Sequence, residues 1–185
     1  MKPTEQLDKA FESALRDREN FIKFVKEFTY EQASWKPPDS EWSIMENIEH
    51  TLLVDVFFRE TAMETLNHAK KTGNWITELE NNDKMTLEAL RNREQGFIHS
   101  PAFLLPKGRN DVKQMIKELY PSKMAIHESF ILFRSKDLSL LIPKPYNLTY
   151  GPLNMYERIY YSGIHDYLHQ EQMERVIVQK DFIKI

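Results

Sequence analysis

Apolar residues recur every three or four positions along four long stretches of this chain, and they do not alternate with polar ones. That spacing places them on one face of an α-helix, whereas a half-buried strand needs an apolar residue at every second position. The chain also has only 5 glycines, so strands joined by tight turns find little support. The pattern predicts an all-α protein, and four long amphipathic helices favour a four-helix bundle.

Polar residues mark the places where three of the helices begin. Ser43 can cap the second long helix, while Glu46, three residues on, completes a capping box. Asn110 can cap the third, and Asn154 pairs with Glu157 in the same way at the start of the fourth. The predicted long helices cover about 4–28, 43–71, 110–136 and 154–180, with a short extra helix near 86–95 between the second and the third.

Two details complete the description of the predicted helices. Pro121 falls inside the third long helix and is expected to kink or split it, because proline lacks an amide donor and clashes with the preceding turn. Arg18 falls on the inward face of the first helix among apolar neighbours. The predicted buried stripe of that helix is Leu7, Phe11, Ala14, Arg18, Phe21, Val25 and Phe28.

Composition narrows the classes of function. With 185 residues and 41% apolar content, the chain is expected to form one domain, residues 1–185, around a single core. The net charge is −3 and the basic residues are dispersed, so we expect no nucleic-acid partner. We also expect no membrane association and a cytoplasmic location, because the chain has no secretion signal and no apolar run of about 20 residues. Cysteine is absent, so any thiol chemistry must use the thiol of a substrate.

Two histidines one helical turn apart, His165 and His169, lie in the fourth long helix. Residues four apart share a face of a helix, so both imidazoles can point at one metal ion. Six histidines in a chain of this length produce such a pair by chance often enough that the pair alone is weak evidence. A third ligand is needed to make a site.

His50 is the natural third ligand. It lies on a mostly apolar stripe of the second helix, where a structural role would favour another apolar residue. The alternative is a core histidine that is simply hydrogen-bonded. Three imidazoles suit a catalytic ion better than a closed structural site, since they leave a coordination position for water or substrate. The stripe consists of His50, Val54, Phe57 and Thr61.

Arg158 and Tyr161 share a face of the fourth helix with the histidine pair. Either can bind an anionic substrate or orient a metal-bound water, although an arginine near the end of a bundle can also simply reach solvent. We assign no catalytic acid or base. The remaining histidines, His68, His99 and His127, are excluded as ligands, because the first two fall in polar or loop segments and the third has no partner at helical spacing.

Several segments resemble the DinB/YfiT-like four-helix-bundle superfamily. Residues 41–50 are similar to the segment in which Trp-Ser opens the second helix and a histidine ends the motif, and residues 165–172 are similar to the second signature. The connection at 101–106 and the approach to the last helix at 150–153 are also similar. The resemblance covers most of the chain, from Trp42 to Val176.

The resemblance implies a fold and a type of site. It implies a bundle of mirror up-and-down topology that holds a divalent metal ion, zinc, nickel or iron, through His50, His165 and His169. It also implies a class of reaction, because characterised members include transferases that join low-molecular-weight thiols to electrophiles. The expected partners are therefore a small-molecule thiol and an electrophilic substrate.

Two alternatives to a thiol S-transferase remain. A metal-dependent hydrolase would use the same open coordination position to activate water. A non-catalytic metal- or ligand-binding bundle would act as a dimeric structural or interaction protein, and a homodimer is the expected assembly because helix faces commonly associate. The apolar segment 176–185 can contribute to such a contact or can pack on its own core.

Overall fold

The computed structural model of the protein describes residues 1–37, 41–78, 86–93, 99–144 and 151–183. Across these ranges the chain forms α-helices and short 3-10 turns, with no strand, so the all-α prediction is confirmed. The helices are α1 (Pro3–Val25), α2 (Tyr30–Ser34), α3 (Ile44–Thr72), α4 (Leu87–Arg91), α5 (Val112–Phe130) and α6 (Met155–Ile177), and the 3-10 turns span Ala102–Leu104 and Ile131–Phe133.

The four long helices α1, α3, α5 and α6 build a helical bundle. The most extensive contacts join α1 to α6, and α1 also packs on α5. Helix α3 packs on the same two partners, α5 and α6, which places α1 and α3 across the bundle from each other. The predicted short helix between the second and third long helices is confirmed as α4, which packs on α6, although residues 94 and 95 lie outside the described residues.

Both predicted capping boxes are confirmed. At the start of α3, the Glu46 amide donates to Ser43 Oγ at 3.1 Å and the Ser43 amide donates to Glu46 Oε2 at 2.7 Å. At the start of α6, Asn154 and Glu157 exchange the same two bonds at 3.0 and 2.9 Å. Each box satisfies two amide groups that a helix start would otherwise leave without partners. The helices that hold the candidate site therefore begin at defined residues.

Helix α5 departs from its prediction at the start and in the middle. Its cap is Asp111, which accepts from the Gln114 amide at 2.9 Å, so the prediction of Asn110 is wrong by one residue. The prediction for Pro121 is a kink or a split, and the helix continues through this residue, so the split is wrong. Pro121 is exposed, so its ring lies on the side of the helix where water can replace the lost hydrogen bond.

Three of the four long helices end earlier than the apolar periodicity predicts, and α3 ends at Thr72, close to the predicted residue 71. The first ends at Val25 instead of residue 28, and the last ends at Ile177 instead of residue 180. Helix α5 ends at Phe130 and passes into a 3-10 turn, where the prediction extended to residue 136. The unpredicted helix α2 begins after Thr29, whose hydroxyl accepts from the Gln32 amide.

Two apolar clusters are stacked along the bundle. On α1 the first cluster includes Leu7 to Ala14, and the second includes Phe21 and Val25. Each of the four long helices places one charged side chain in the layer between the clusters, and these side chains are almost fully buried. The four residues of this layer, called the ion quartet below, are Arg18, Asp55, Lys123 and Asp166.

Helices α1 and α6 approach each other closely beside the ion quartet. A Cβ atom added at Gly163 would lie 2.7 Å from the Cα atom of Ala14, nearer than side chains tolerate. The close approach brings the middle of α6, and with it the histidine pair, against the core. None of the helices in the described ranges combines the length and the apolar character needed to cross a membrane.

Candidate metal centre

The three predicted histidines come together between α3 and α6. One ring nitrogen from each of His50, His165 and His169 lies within 4.8 Å of the other two. The Nε2 atoms of His165 and His169 are 3.2 Å apart. Two nitrogens bound to one tetrahedral zinc ion at about 2.0–2.1 Å would be separated by about 3.3 Å. The three side chains can therefore hold a metal ion, and the residues fit the group that the sequence predicts.

The second ring nitrogen of two of these histidines is already engaged. His50 Nδ1–H donates to the carbonyl oxygen of Leu104 at 2.8 Å. His169 Nδ1–H donates to Asn47 Oδ1 at 2.7 Å. A carbonyl oxygen can only accept, so both rings carry their proton on Nδ1 and leave Nε2 as the free electron-pair donor. This is the tautomer that a metal ligand needs.

The orientation of the Asn47 amide follows from its other contacts. Asn47 is fully buried, and its Nδ2 group donates to the carbonyl oxygens of Ser43 at 2.9 Å and Trp42 at 3.4 Å. Those two acceptors direct the amide nitrogen toward the start of α3, so Oδ1 faces His169. Asn47 therefore couples the capped start of α3 to a ring on α6.

Replacing Asn47 by leucine is expected to weaken metal binding by about 10- to 100-fold, because the His169 ring loses the acceptor that sets its tautomer. Replacement by aspartate keeps an acceptor at the same place and should retain most of the affinity. Competition titration of metal-free protein with a zinc chelator measures both values. Equal affinities for the leucine and aspartate variants would contradict the role assigned to the side-chain oxygen.

Glu49 anchors the loop that supplies the carbonyl partner of His50. Its buried carboxylate accepts from the backbone amides of Lys107, Gly108 and Arg109 at 2.9–3.0 Å. Gly108 has a φ of +87°, a conformation that a residue with a Cβ adopts only with strain. Because Glu49 is adjacent to His50, the loop and the ligand are attached to the same turn of α3.

Trp42 forms an aromatic wall on the cluster. Its ring stacks on His169 with an interplanar angle of 10° and a centroid distance of 5.9 Å. It also lies 4.7 Å from the His50 ring, tilted by 53°. The tryptophan ring therefore covers part of two of the three imidazoles.

Burial favours neutral imidazoles in the cluster. It lowers the pKa of His50, and the hydrogen bond to Leu104 opposes this only in part. Burial lowers the pKa of His165 well below its ordinary value, and the neighbouring cations Lys123 and Arg18 add to the effect. The pKa of His169 is also well below its ordinary value, first because of burial and then because of the other two histidines. The electron pairs are therefore available at neutral pH.

The metal-free protein is expected to lose stability as the pH falls below about 6.5, the ordinary pKa of histidine. In that range the unfolded chain takes up protons first, while the folded cluster stays neutral until the pH reaches its lowered pKa values. The loss can reach about 1.4 kcal/mol per pH unit for each histidine concerned. Urea unfolding between pH 8 and pH 5 measures it. A variant with glutamine at His50, His165 and His169 should show a shallower slope, and an equal slope would contradict the assignment.

The residues on the side of the cluster toward the start of α6 are partly exposed. His165 is partly exposed, and the Tyr161 ring lies edge-on to it at 6.2 Å. Arg158 lies one further turn away, where its Nη2 donates to Thr61 Oγ1 at 3.4 Å and its guanidinium lies 5.0 Å from the Phe58 ring. The structure thus places Tyr161 beside the histidines and Arg158 farther along the same face.

An aromatic pair lies on the α3 side of the same region. Phe57, on the predicted stripe, packs against Phe103 with ring centroids 5.2 Å apart. Phe103 is 56% exposed even though the next residue, Leu104, is buried and bonded to His50. The segment that carries the exposed Phe103 ring is therefore attached to the histidine cluster through the hydrogen bond between His50 and Leu104.

The three excluded histidines lie away from the cluster. His68 and His99 are exposed, as expected for polar and loop segments. His127 packs edge-on against Phe11 at 4.6 Å and so has a structural environment. None of the three belongs to the group of possible metal ligands found in the described ranges.

One known protein family matches most of the chain. The sequence model of the DinB superfamily matches residues 14–173, a span that includes all three histidines. No curated protein and no solved structure matches the chain significantly.

Proposed function

The chain belongs to the DinB superfamily, and on that premise we propose that it is a metal-dependent enzyme that joins a small thiol to an electrophile. The observation that carries the proposal is the convergence of three histidine nitrogens, two of them oriented by acceptors on their other ring nitrogen. Three neutral ligands suit a divalent ion, zinc, nickel or iron, that retains an open coordination position. When bound, such an ion supplies the positive charge that lowers the pKa of a thiol.

The absence of cysteine supports a thiol that arrives with the substrate. The chain has no sulfhydryl of its own that could compete for the ion or act as the nucleophile. In the proposed reaction the substrate S–H loses its proton to solvent, and the sulfur forms a bond to an electrophilic carbon. The leaving group departs from that carbon with its bonding electron pair, so atoms and charge balance.

Residues on the side of the cluster toward the start of α6 would bind and orient the substrates. The Tyr161 ring lies edge-on to His165, and in the proposed reaction its phenol orients a group that approaches the cluster. Arg158 lies farther along the face and carries a positive charge suited to an acidic group on a substrate. Trp42 covers part of two of the histidine rings. A thiol would then enter past Tyr161.

The test uses full-length protein purified without an affinity tag. Elemental analysis is expected to find about one divalent ion per chain. Consumption of monochlorobimane is expected to require both the loaded protein and an added thiol, with cysteine, N-acetylcysteine and glutathione as the probes. Protein that carries the ion and accelerates none of these reactions would contradict the transferase and favour a non-catalytic metal-binding bundle. Protein that takes up no ion would contradict the metal centre itself.

A further inference from the structure

The ion quartet lies directly behind the histidine cluster. Asp166 follows His165 on α6, and Asp55 lies five residues after His50 on α3. The other two members come from α1 and α5, so the layer joins all four long helices at one height in the bundle. No member of the quartet is a candidate metal ligand in the described ranges.

Each cation of the quartet touches both anions. Arg18 donates two hydrogen bonds of 2.8 Å to Asp166 and lies 2.9 Å from Asp55. Lys123 lies 2.9 Å from Asp55 and 3.4 Å from Asp166. The side chains are at most 3% exposed, and their charges sum to zero. All four charged side chains keep their partners only when the four helices hold one relative position.

Further hydrogen bonds surround the quartet. Arg18 Nη1 also donates to the Leu119 carbonyl at 2.6 Å, and Lys123 Nζ donates to the Ser162 carbonyl at 3.1 Å. Ser122 Oγ donates to Asp55 at 2.6 Å. The added bonds attach the charges to the backbone of α5 and α6, so a helix cannot rotate without breaking several of them.

Stability alone does not explain a layer of this kind. Removing four charges from water is costly, and buried ion clusters replaced by apolar side chains of similar volume often leave stability unchanged or higher. An ionic layer instead selects one relative position of the helices. An apolar layer tolerates small shifts and rotations of the helices, whereas a bidentate ion pair is broken by them. The apolar clusters on either side of the quartet do not select one relative position of the helices in this way.

We propose that the ion quartet is a positioning device, which sets the rotation and height of α3 and α6 so that His50, His165 and His169 converge. The inference rests on the proposed function where it is tested by zinc affinity, because that measurement requires a metal centre. The relative positions of the histidine rings can be measured without metal. Its members are positioning residues, because they act through the helices that carry the histidines and do not contact the reacting groups.

The test replaces the quartet as a unit. The full replacement is Arg18→Met, Asp55→Leu, Lys123→Met and Asp166→Leu in the full chain, and a milder variant combines Lys123→Met with Asp55→Asn. We expect a urea midpoint for the metal-free full replacement equal to or above that of the wild type, together with zinc affinity about tenfold or more weaker. The milder variant should retain the fold and lose part of the affinity.

A matched control separates positioning from general packing. Leu66→Ala removes a fully buried side chain from the other end of α3, so it should lower the urea midpoint and leave zinc affinity of the folded protein unchanged. Cobalt(II) absorption adds a spectroscopic signature, because a displaced histidine changes the intensity of its visible bands. Unchanged zinc affinity and cobalt spectra in both quartet variants would overturn the proposal. It would also be overturned if zinc affinity fell only in proportion to the urea midpoint.

Nuclear Overhauser contacts between the Trp42 ring and the rings of His50 and His169 give a readout in metal-free protein. We expect them in the wild type and the Leu66→Ala control, and expect them to weaken in the quartet variants. Contacts that persist unchanged in both quartet variants would overturn the positioning role whether or not metal binds. Wild-type protein with these contacts but no metal uptake would contradict the proposed function instead.

Discussion

Replacing His165 and His169 together by alanine is expected to reduce the metal content from about one ion per chain to about 0.1 or less. Two of the three converging nitrogens are lost, and His50 alone offers a single ligand. Thiol-dependent consumption of monochlorobimane should fall to the rate without protein, since the thiol is no longer activated. Elemental analysis and the fluorescence assay, on the same preparation, measure the two quantities.

The matched control is His68→Ala. His68 lies on α3, as His50 does, but it is exposed and belongs to no group of possible metal ligands among the described residues. Its replacement should change neither the metal content nor the rate. Turnover retained in the double variant at the wild-type rate would show that the chemistry does not depend on these histidines, even if the ion were lost.

Sequence reasoning found the ligand candidates because they obey local rules. His165 and His169 are four residues apart on a helix. His50 interrupts an apolar stripe on α3, and the capping box that begins this helix is present in the structure. The Asn154 cap predicts the start of α6, and the structure contains this cap. These signals depend on residues within a turn or two of one another, so a periodic pattern reveals them.

The partners of the ligands could not be predicted in this way. The carbonyl of Leu104 reaches His50 from a loop 54 residues away, and a backbone acceptor has no signature in the side-chain sequence. Asn47 was detectable in principle, since it lies one turn before His50 on α3, but its contact with His169 is between helices. Glu49 binds loop amides that no periodicity identifies.

The ion quartet shows the same limit in the core. The spacing of Arg18 predicts that it lies on the buried stripe of α1, and the structure confirms that it is fully buried. Its partners Asp55 and Asp166 lie on helices far away in the sequence, and the pairing depends on how those helices pack. Helical periodicity assigns a face to each residue, but it does not show which faces meet.

Replacing Lys123 alone by methionine is expected to destabilise the protein by about 3–5 kcal/mol. The change leaves the two carboxylates of Asp55 and Asp166 buried with only the Arg18 guanidinium, so the core carries one uncompensated negative charge. Arg18 and Lys123 at present hold the pKa of Asp55 below its ordinary value, against the opposing effect of burial. Urea unfolding of the metal-free protein at neutral pH measures the loss.

Lys117→Met is the matched control, because Lys117 lies on the same helix but is exposed. It should change the free energy of unfolding by no more than about 0.5 kcal/mol. A loss below about 1 kcal/mol for Lys123→Met would mean that the remaining charges relax or take up a proton. A large loss for the single variant, beside unchanged stability for the four-residue replacement, would show that the quartet is costly to break but not needed for stability. That combination leaves the placement of the helices, and of the histidines on them, as the reason for its presence.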